Sequence, residues 1–329
     1  MSSSESSPDP RSLDCLAKLI GFDTVSRNSN LALIDWARAH LEAQGAKIRM
    51  DFGDDRRKAN MLASFGEGPG GIVLSGHTDV VPVDGQSWAS DPFTATIRDG
   101  RLYGRGACDM KGFVGVVLGH APDYAKAASR EPIHVALTYD EEVGCLGIPH
   151  LIAAMQRWGI RPAGCLVGEP TLMHPVCAHK GGRIYRCRIA GLAAHSSLSP
   201  SAVNAVEYAA RIVSLIQSIA DREQREGIRV DGFDVPHTTI STNLFSGGTA
   251  GNIVPADAEF LFEFRYVPGF DADALLAEIE GFARHELVPR MQAIEPRSGI
   301  GFELVNAIPA LEAKVSDAIF ERVCSLVPG

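Results

Sequence analysis

Apolar and polar positions divide this chain into two stretches of different character. In the first, helical spacing covers residues 14–22 and 31–44, and Gly45 is placed to stop the second helix. Residues 60–65 and 71–75 read as neighbouring strands separated by a Gly/Pro turn. A helix is predicted over 111–128, followed by strand, helix and strand through Cys165. Residues 76–109 carry little regular pattern and are punctuated by Pro82, Gly85, Pro92 and Gly100. An irregular stretch of that length inside a domain is usually functional.

The period changes after Lys180-Gly181-Gly182. RIYRCRIAG alternates like a half-exposed strand, and residues 201–223 form a long amphipathic helix. Residues 238–246 and 256–266 alternate again, as an antiparallel hairpin with Gly247-Gly248 near its turn. A helix over 272–291 and a strand over 300–304 follow. The predicted fold class is α/β: a mixed, largely parallel sheet with flanking helices, carrying an inserted α+β sandwich. The expected boundaries are a first domain over 1–181, the insert over 182–304, and a return to the first domain over 305–329.

Composition narrows the function. With 329 residues, 45% of them hydrophobic and 22% charged, the chain reads as an ordinary globular protein with a polar tail at 1–10. A net charge of -9 argues against nucleic acid or an anionic membrane as partner. The seven cysteines are scattered without CxxC spacing, so reduced and mostly buried thiols are expected. The first residues lack an apolar secretory core, and no run reaches the roughly eighteen apolar residues of a membrane span. The expectation is a soluble, cytoplasmic protein.

Candidate chemistry lies at the ends of the apolar runs. GIVLSG leads into His77-Thr78-Asp79, PIHVALTY into Asp140-Glu141-Glu142, and CLVG into Glu169, while Asp109 precedes the predicted helix at 111. The spacing of roughly thirty residues is about one βα repeat, which delivers these side chains to one edge of a parallel sheet. Singly, each has an ordinary reading: a turn for His77 and Asp79, an N-cap for Asp109, a solvated loop for the three acids, a strand-ending turn for Glu169. Together they describe a site for paired divalent ions. His77 would bind through one ring nitrogen while Asp79 holds the other N–H. Asp109 could bridge two ions. Of the adjacent glutamates, one can bind metal while its neighbour takes a proton from water.

The segments SGHTDVVPVDGQSWASDPF, LYGRGACDMKG, DEEVGCLG, VGEPT, HKGG, AAHSSLSPSAVNA and GGTAGNIVP resemble the M20 family of dinuclear metallo-aminoacylases and peptidases. The likeness runs from about residue 12 to 329 with the motifs in family order, and implies a zinc-peptidase-like fold whose insert is a dimerisation and lid domain. It implies two zinc or cobalt ions per subunit, the first held by His77, Asp109 and Glu169, with Asp109 bridging and Glu142 on the second. Glu141 would be the general base and later the proton donor, and Asp79 would orient His77. His195 would reach across a homodimer to stabilise an oxyanion, and Asn252 and Arg265 would bind substrate. The implied partner is a small N-acyl amino acid. N-acetyl-L-ornithine, cleaved to L-ornithine and acetate in arginine biosynthesis, fits the motifs best. A succinyl-diaminopimelate desuccinylase, a general aminoacylase, a dipeptidase or a catalytically impaired binding homologue are the alternatives. Family members carry a further histidine beyond the point matching Gly329. The second ion is therefore expected to have only Asp109 and Glu142, and the sheet to show an uncovered edge.

Overall fold

The apolar runs of the first half form a five-stranded sheet in the order Lys47–Phe52, Ala59–Phe65, Ile133–Thr138, Ile72–His77, Gly164–Val167. The computed structural model describes residues 8–128, 131–312 and 318–327, so most of the polar tail lies outside it. The first three strands run antiparallel to one another, and the last three are parallel. This is the mixed α/β sheet expected. One pairing differs from expectation: Ala59–Phe65 and Ile72–His77 are not neighbours, because Ile133–Thr138 lies between them. That strand is buried on both faces, as its central position requires.

Successive residues of Ala59–Phe65 point to opposite faces and meet different helices. Met61 and Phe65 pack with Leu19, Leu33, Ile34, Leu41, Val117 and Leu118, from Pro10–Ile20, Leu31–Glu42 and Lys111–Gly119. Leu62 joins Val73, Ala136, Leu151 and Ile160 under Gly147–Arg157. Each fully buried aliphatic side chain of this kind contributes about 1.5–3 kcal/mol. The helix expected over 111–128 breaks at His120 into Lys111–Gly119 and Ala121–Ala127, since Pro122 cannot donate to the preceding turn. The cysteines are unpaired as expected, but only Cys15 and Cys187 are buried.

Residues 1–174 and 175–329 are two compact units. In the second, a four-stranded antiparallel sheet has the order Thr239–Gly247, Asp257–Tyr266, Gly181–Ala190, Gly299–Ile308. One face, with Tyr185, Cys187, Ile189, Phe260, Phe262 and Phe264, packs on Ile212, Ile216, Leu275 and Ile279 of two helices. The other face carries ion pairs of Arg186 and Arg188 with Glu259 and Glu303. The helix expected from 201 begins at Ala205, where the Asn204 side chain accepts from the amides of Val206 and Glu207. Residues 196–201 form a separate 3-10 turn containing Pro200. The helix expected over 272–291 is interrupted by a π turn at Ala283–Leu287 ahead of Pro289. The strand expected at 300–304 spans Gly299–Ile308, and Leu311–Glu312 then pairs with Ala178–His179. No helix among the described residues is long and apolar enough to cross a membrane.

Candidate metal centre

Parallel registration places the candidate residues at one sheet edge. His77 is the last residue of its strand and aligns with Thr138, two residues before Asp140, while Ser75 aligns with Val167, two before Glu169. Asp109 precedes the Lys111–Gly119 helix, which packs against the His77 strand. Close approach there requires small residues. A Cβ on Gly76 would lie 2.8 Å from Val114, and one on Gly168 would fall 1.9 Å from the Phe113 ring. Gly168→Ala is therefore expected to destabilise the first unit by about 1–3 kcal/mol by overpacking. It should also displace Glu169 and weaken divalent-ion uptake. Thermal melting with a Co2+ titration checks both effects.

His77 is 2% exposed. Its Nδ1 lies 2.8 Å from the main-chain oxygen of Asp79 and its Nε2 lies 3.0 Å from Oδ1 of Asp109. Glu169 Oε1 and Glu141 Oε2 stand 3.9 and 4.0 Å from the same Nε2. A proton on Nδ1 leaves the Nε2 lone pair aimed at the acids, which is the tautomer a metal ligand needs.

The expected role of Asp79 is redistributed. Its carbonyl, not its carboxylate, takes the second N–H of His77, and the carboxylate is 3.6 Å from the ring, outside hydrogen-bonding range. The chain turns at the strand end so that the carbonyl faces back to the imidazole and the side chain runs beneath the acidic loop. There it accepts from the Ser26 hydroxyl at 2.7 Å and from the amides of Glu141 and Glu142 at 3.1 and 3.3 Å. Burial opposes its charge, but the neighbouring His77, Ser26 and the Glu141 amide outweigh burial and hold Asp79 below the usual carboxylate range. Asp140 adopts the left-handed conformation, with φ 57, and turns Glu141 and Glu142 toward the site.

Charge crowding is pronounced. Burial, reinforced by Asp109, Glu141 and Glu142 and opposed by His77, raises the Glu169 pKa to about 7. Burial and the Asp109 charge also raise Glu142. For His77, burial is outweighed by Asp79, Glu169 and Glu141, and the pKa rises to about 9. Protons thus occupy a cluster that a cation would satisfy.

Two groups of ligand atoms, each lying within 4.8 Å of one another, can be drawn: His77, Asp109 and Glu169, and His77, Glu141 and Glu142. Only Nε2 of His77 faces the acids, so the imidazole can serve one ion, and a second would rest on carboxylates. One imidazole with several carboxylates is a donor set that a divalent cation fits, zinc among those it can hold.

The remaining predicted residues lie in the second unit. Ala194–His195 pairs with Ile253–Val254, and the Ser196 amide donates to the Asn252 carbonyl at 2.9 Å, which brings His195 and Asn252 together. The Ser197 amide donates to Nδ1 of His195 at 3.3 Å, and the Ser197 hydroxyl lies 2.8 Å from the same nitrogen, so Nε2 is the ring nitrogen left without these contacts. Arg265 stands apart from them, at the far end of the Asp257–Tyr266 strand, with Glu263 at 3.4 Å. Sequence reasoning missed Ser26, Lys58 and Met110. The sulfur of Met110 accepts the His77 amide at 3.3 Å, and Lys58 pairs with Asp140. These residues belong to no spacing pattern; a signal exists only for Met110, as the neighbour of Asp109.

The family model for peptidase family M20/M25/M40 matches residues 73–310. An acetylornithine deacetylase from Photorhabdus laumondii is 32% identical over 325 residues, covering 97% of this chain and 82% of the relative. Among solved structures, a metallo-carboxypeptidase of the M20 family from Sulfolobus solfataricus superposes with a TM-score of 0.72 at 19% identity, covering 95% of this chain and 82% of that one. An aminopeptidase from Bacillus cereus gives a TM-score of 0.70, also at 19% identity, over 94% and 79% of the two chains. With the family model spanning most of the sequence and the fold shared, the chain belongs to peptidase family M20/M25/M40.

Proposed function

We propose that this metal-dependent hydrolase cleaves N-acetyl-L-ornithine to L-ornithine and acetate, serving arginine biosynthesis in the cytoplasm as a homodimer formed through the second unit. The observation that carries the reading is the convergence of Asp109, Glu141 and Glu169 on Nε2 of the buried His77, in a chain 32% identical to an acetylornithine deacetylase.

His77, Asp109 and Glu169 would hold one ion, and Asp109 with Glu142 a second. Bound there, the ions supply Lewis acidity toward the acetyl carbonyl and lower the pKa of water. Glu141 accepts the water proton and later delivers it to the departing amine, so one carboxyl serves as base and then acid. His195 of a partner subunit donates Nε2–H to the oxyanion. Arg265 pairs with the substrate carboxylate, and the Asn252 amide hydrogen-bonds the substrate.

The test is turnover by the Co2+-loaded protein of N-acetyl-L-ornithine, N-succinyl-diaminopimelate, an N-acetyl neutral amino acid and a dipeptide. The expected result is the highest kcat/KM for N-acetyl-L-ornithine. Turnover of another amide without it replaces the substrate. Silence toward all four, with metal bound, favours a binding or regulatory homologue.

A further inference from the structure

A closed ring of contacts lies beneath the acidic loop, and one of its members has no part in the chemistry above. The Lys58 ammonium donates to the Asp140 carboxylate and to the Ser26 carbonyl. The Ser26 hydroxyl donates to Asp79. Asp79 accepts the amides of Glu141 and Glu142, the residues that follow Asp140 in the chain. The ring therefore returns to its starting point. Lys58 and Asp140 are largely enclosed, their side chains 18% and 12% exposed.

Each contact has a geometric consequence. Asp140 is held at φ 57, a conformation that side-chain-bearing residues leave unless their surroundings over-determine it. Its carboxylate is anchored by Lys58 and its carbonyl accepts the Leu146 amide at 2.9 Å. Rotation at this residue would swing Glu141 and Glu142 together. Among the described residues, no other lysine or arginine forms an ion pair with residues 140–142. Lys58 is thus the cationic partner of Asp140, a buried carboxylate.

We propose that Lys58 is a positioning residue for the Glu141–Glu142 pair: clamped between Asp140 and Ser26, it closes the ring that fixes the direction of both glutamates. The inference rests on the roles given above to Glu141 and Glu142. Lys58 itself touches neither substrate nor ion. Its removal should therefore act on the alignment of the proton acceptor and on the ion held through Glu142, while leaving the His77–Asp109–Glu169 group in place.

The experiment compares Lys58→Met, Lys58→Arg and the neutral pair Lys58→Met with Asp140→Asn. In the substrate assay, Lys58→Met is expected to lower kcat about 100-fold. KM should stay within about threefold, the pattern of a loss confined to the transition state. By calorimetric Co2+ titration, the binding step that Glu142→Ala abolishes should weaken about 10-fold, the usual effect of losing a residue that supports a ligand. Lys58→Arg should recover most of both losses, because its guanidinium can span the same two oxygens. If Lys58→Met does not fold, the neutral pair, which leaves no unpaired buried carboxylate, takes its place and should show the same two losses.

A folded variant with a lower melting temperature but unchanged kcat and Co2+ binding overturns the proposal and makes Lys58 a structural residue only. Failure of arginine to restore either readout overturns it as well. Should the wild type hydrolyse no amide, the hydrolytic reading fails by itself, and the Co2+ titration still decides the role of Lys58.

Discussion

Glu141→Gln is expected to lower kcat by about 10²–10⁴-fold, the range associated with a positioned general acid–base, while the protein keeps its affinity for divalent ions. Glutamine preserves the shape of the side chain and its contacts but cannot accept a proton. The amide of residue 141, which donates to Asp79, is unaffected by the change, so the loop stays in register. Glu142→Gln should behave differently, losing ion binding and activity together, because it removes a ligand charge. Titrating both variants with Co2+ and measuring kcat under saturating metal separates the two roles. A Glu141→Gln protein with more than about a tenth of wild-type kcat would remove residue 141 from proton transfer.

The second large effect concerns pH. In the ion-free protein the Glu169 pKa is raised to about 7 from 4.5, and that of His77 to about 9 from 6.5. Both groups bind protons more tightly folded than unfolded. Their contribution to stability is full below the unfolded values and is lost as pH rises through the folded ones. Asp79 has the opposite sign: its lowered pKa stabilises the fold above the ordinary carboxylate range and is lost only as pH falls through it. Chelator-treated protein should thus lose stability from about pH 4.5 to about pH 9.

A bound cation reverses the trend, since it requires deprotonated ligands and displaces roughly one or two protons near neutrality. The gap in melting temperature between loaded and chelator-treated protein should widen steadily from about pH 5 to about pH 9. Calorimetry in buffers of different ionisation enthalpy should detect the released protons. A gap that narrows with rising pH, or no proton release, would falsify placement of the ion at His77 and Glu169.

The sheet edge was legible before the structure because each parallel strand is an apolar run with its functional residue immediately after it: GIVLSG before His77, CLVG before Glu169. Strand order was less so. IHVALT and ANMLASF are both mainly apolar with two polar residues each, and nothing local says which of them is central; the order depends on which strand can bury both faces. Helix ends were missed where a cap or a proline overrode the apolar spacing, as at Asn204, Pro122 and Pro289.

Within the site, the acids were found by their neighbours in sequence. The supports were not. Lys58 meets Asp140 across 82 positions, and Ser26 meets Asp79 across 53. A hydrogen bond between such distant residues leaves no periodic trace in either segment, whereas His77 and Asp79 sit two apart and drew attention to a side-chain contact that the carbonyl makes instead.

That last detail changes what the aspartate of the His77-x-Asp79 signature reports. A main-chain oxygen is supplied by every amino acid, so the tautomer of His77 places no demand on the identity of residue 79. The demand comes from the other side, where two amides and a hydroxyl need one acceptor with several lone pairs. In a variant library at position 79, residues should therefore be ranked by how well they seat the 140–142 turn. Those that fail should still present a correctly oriented imidazole.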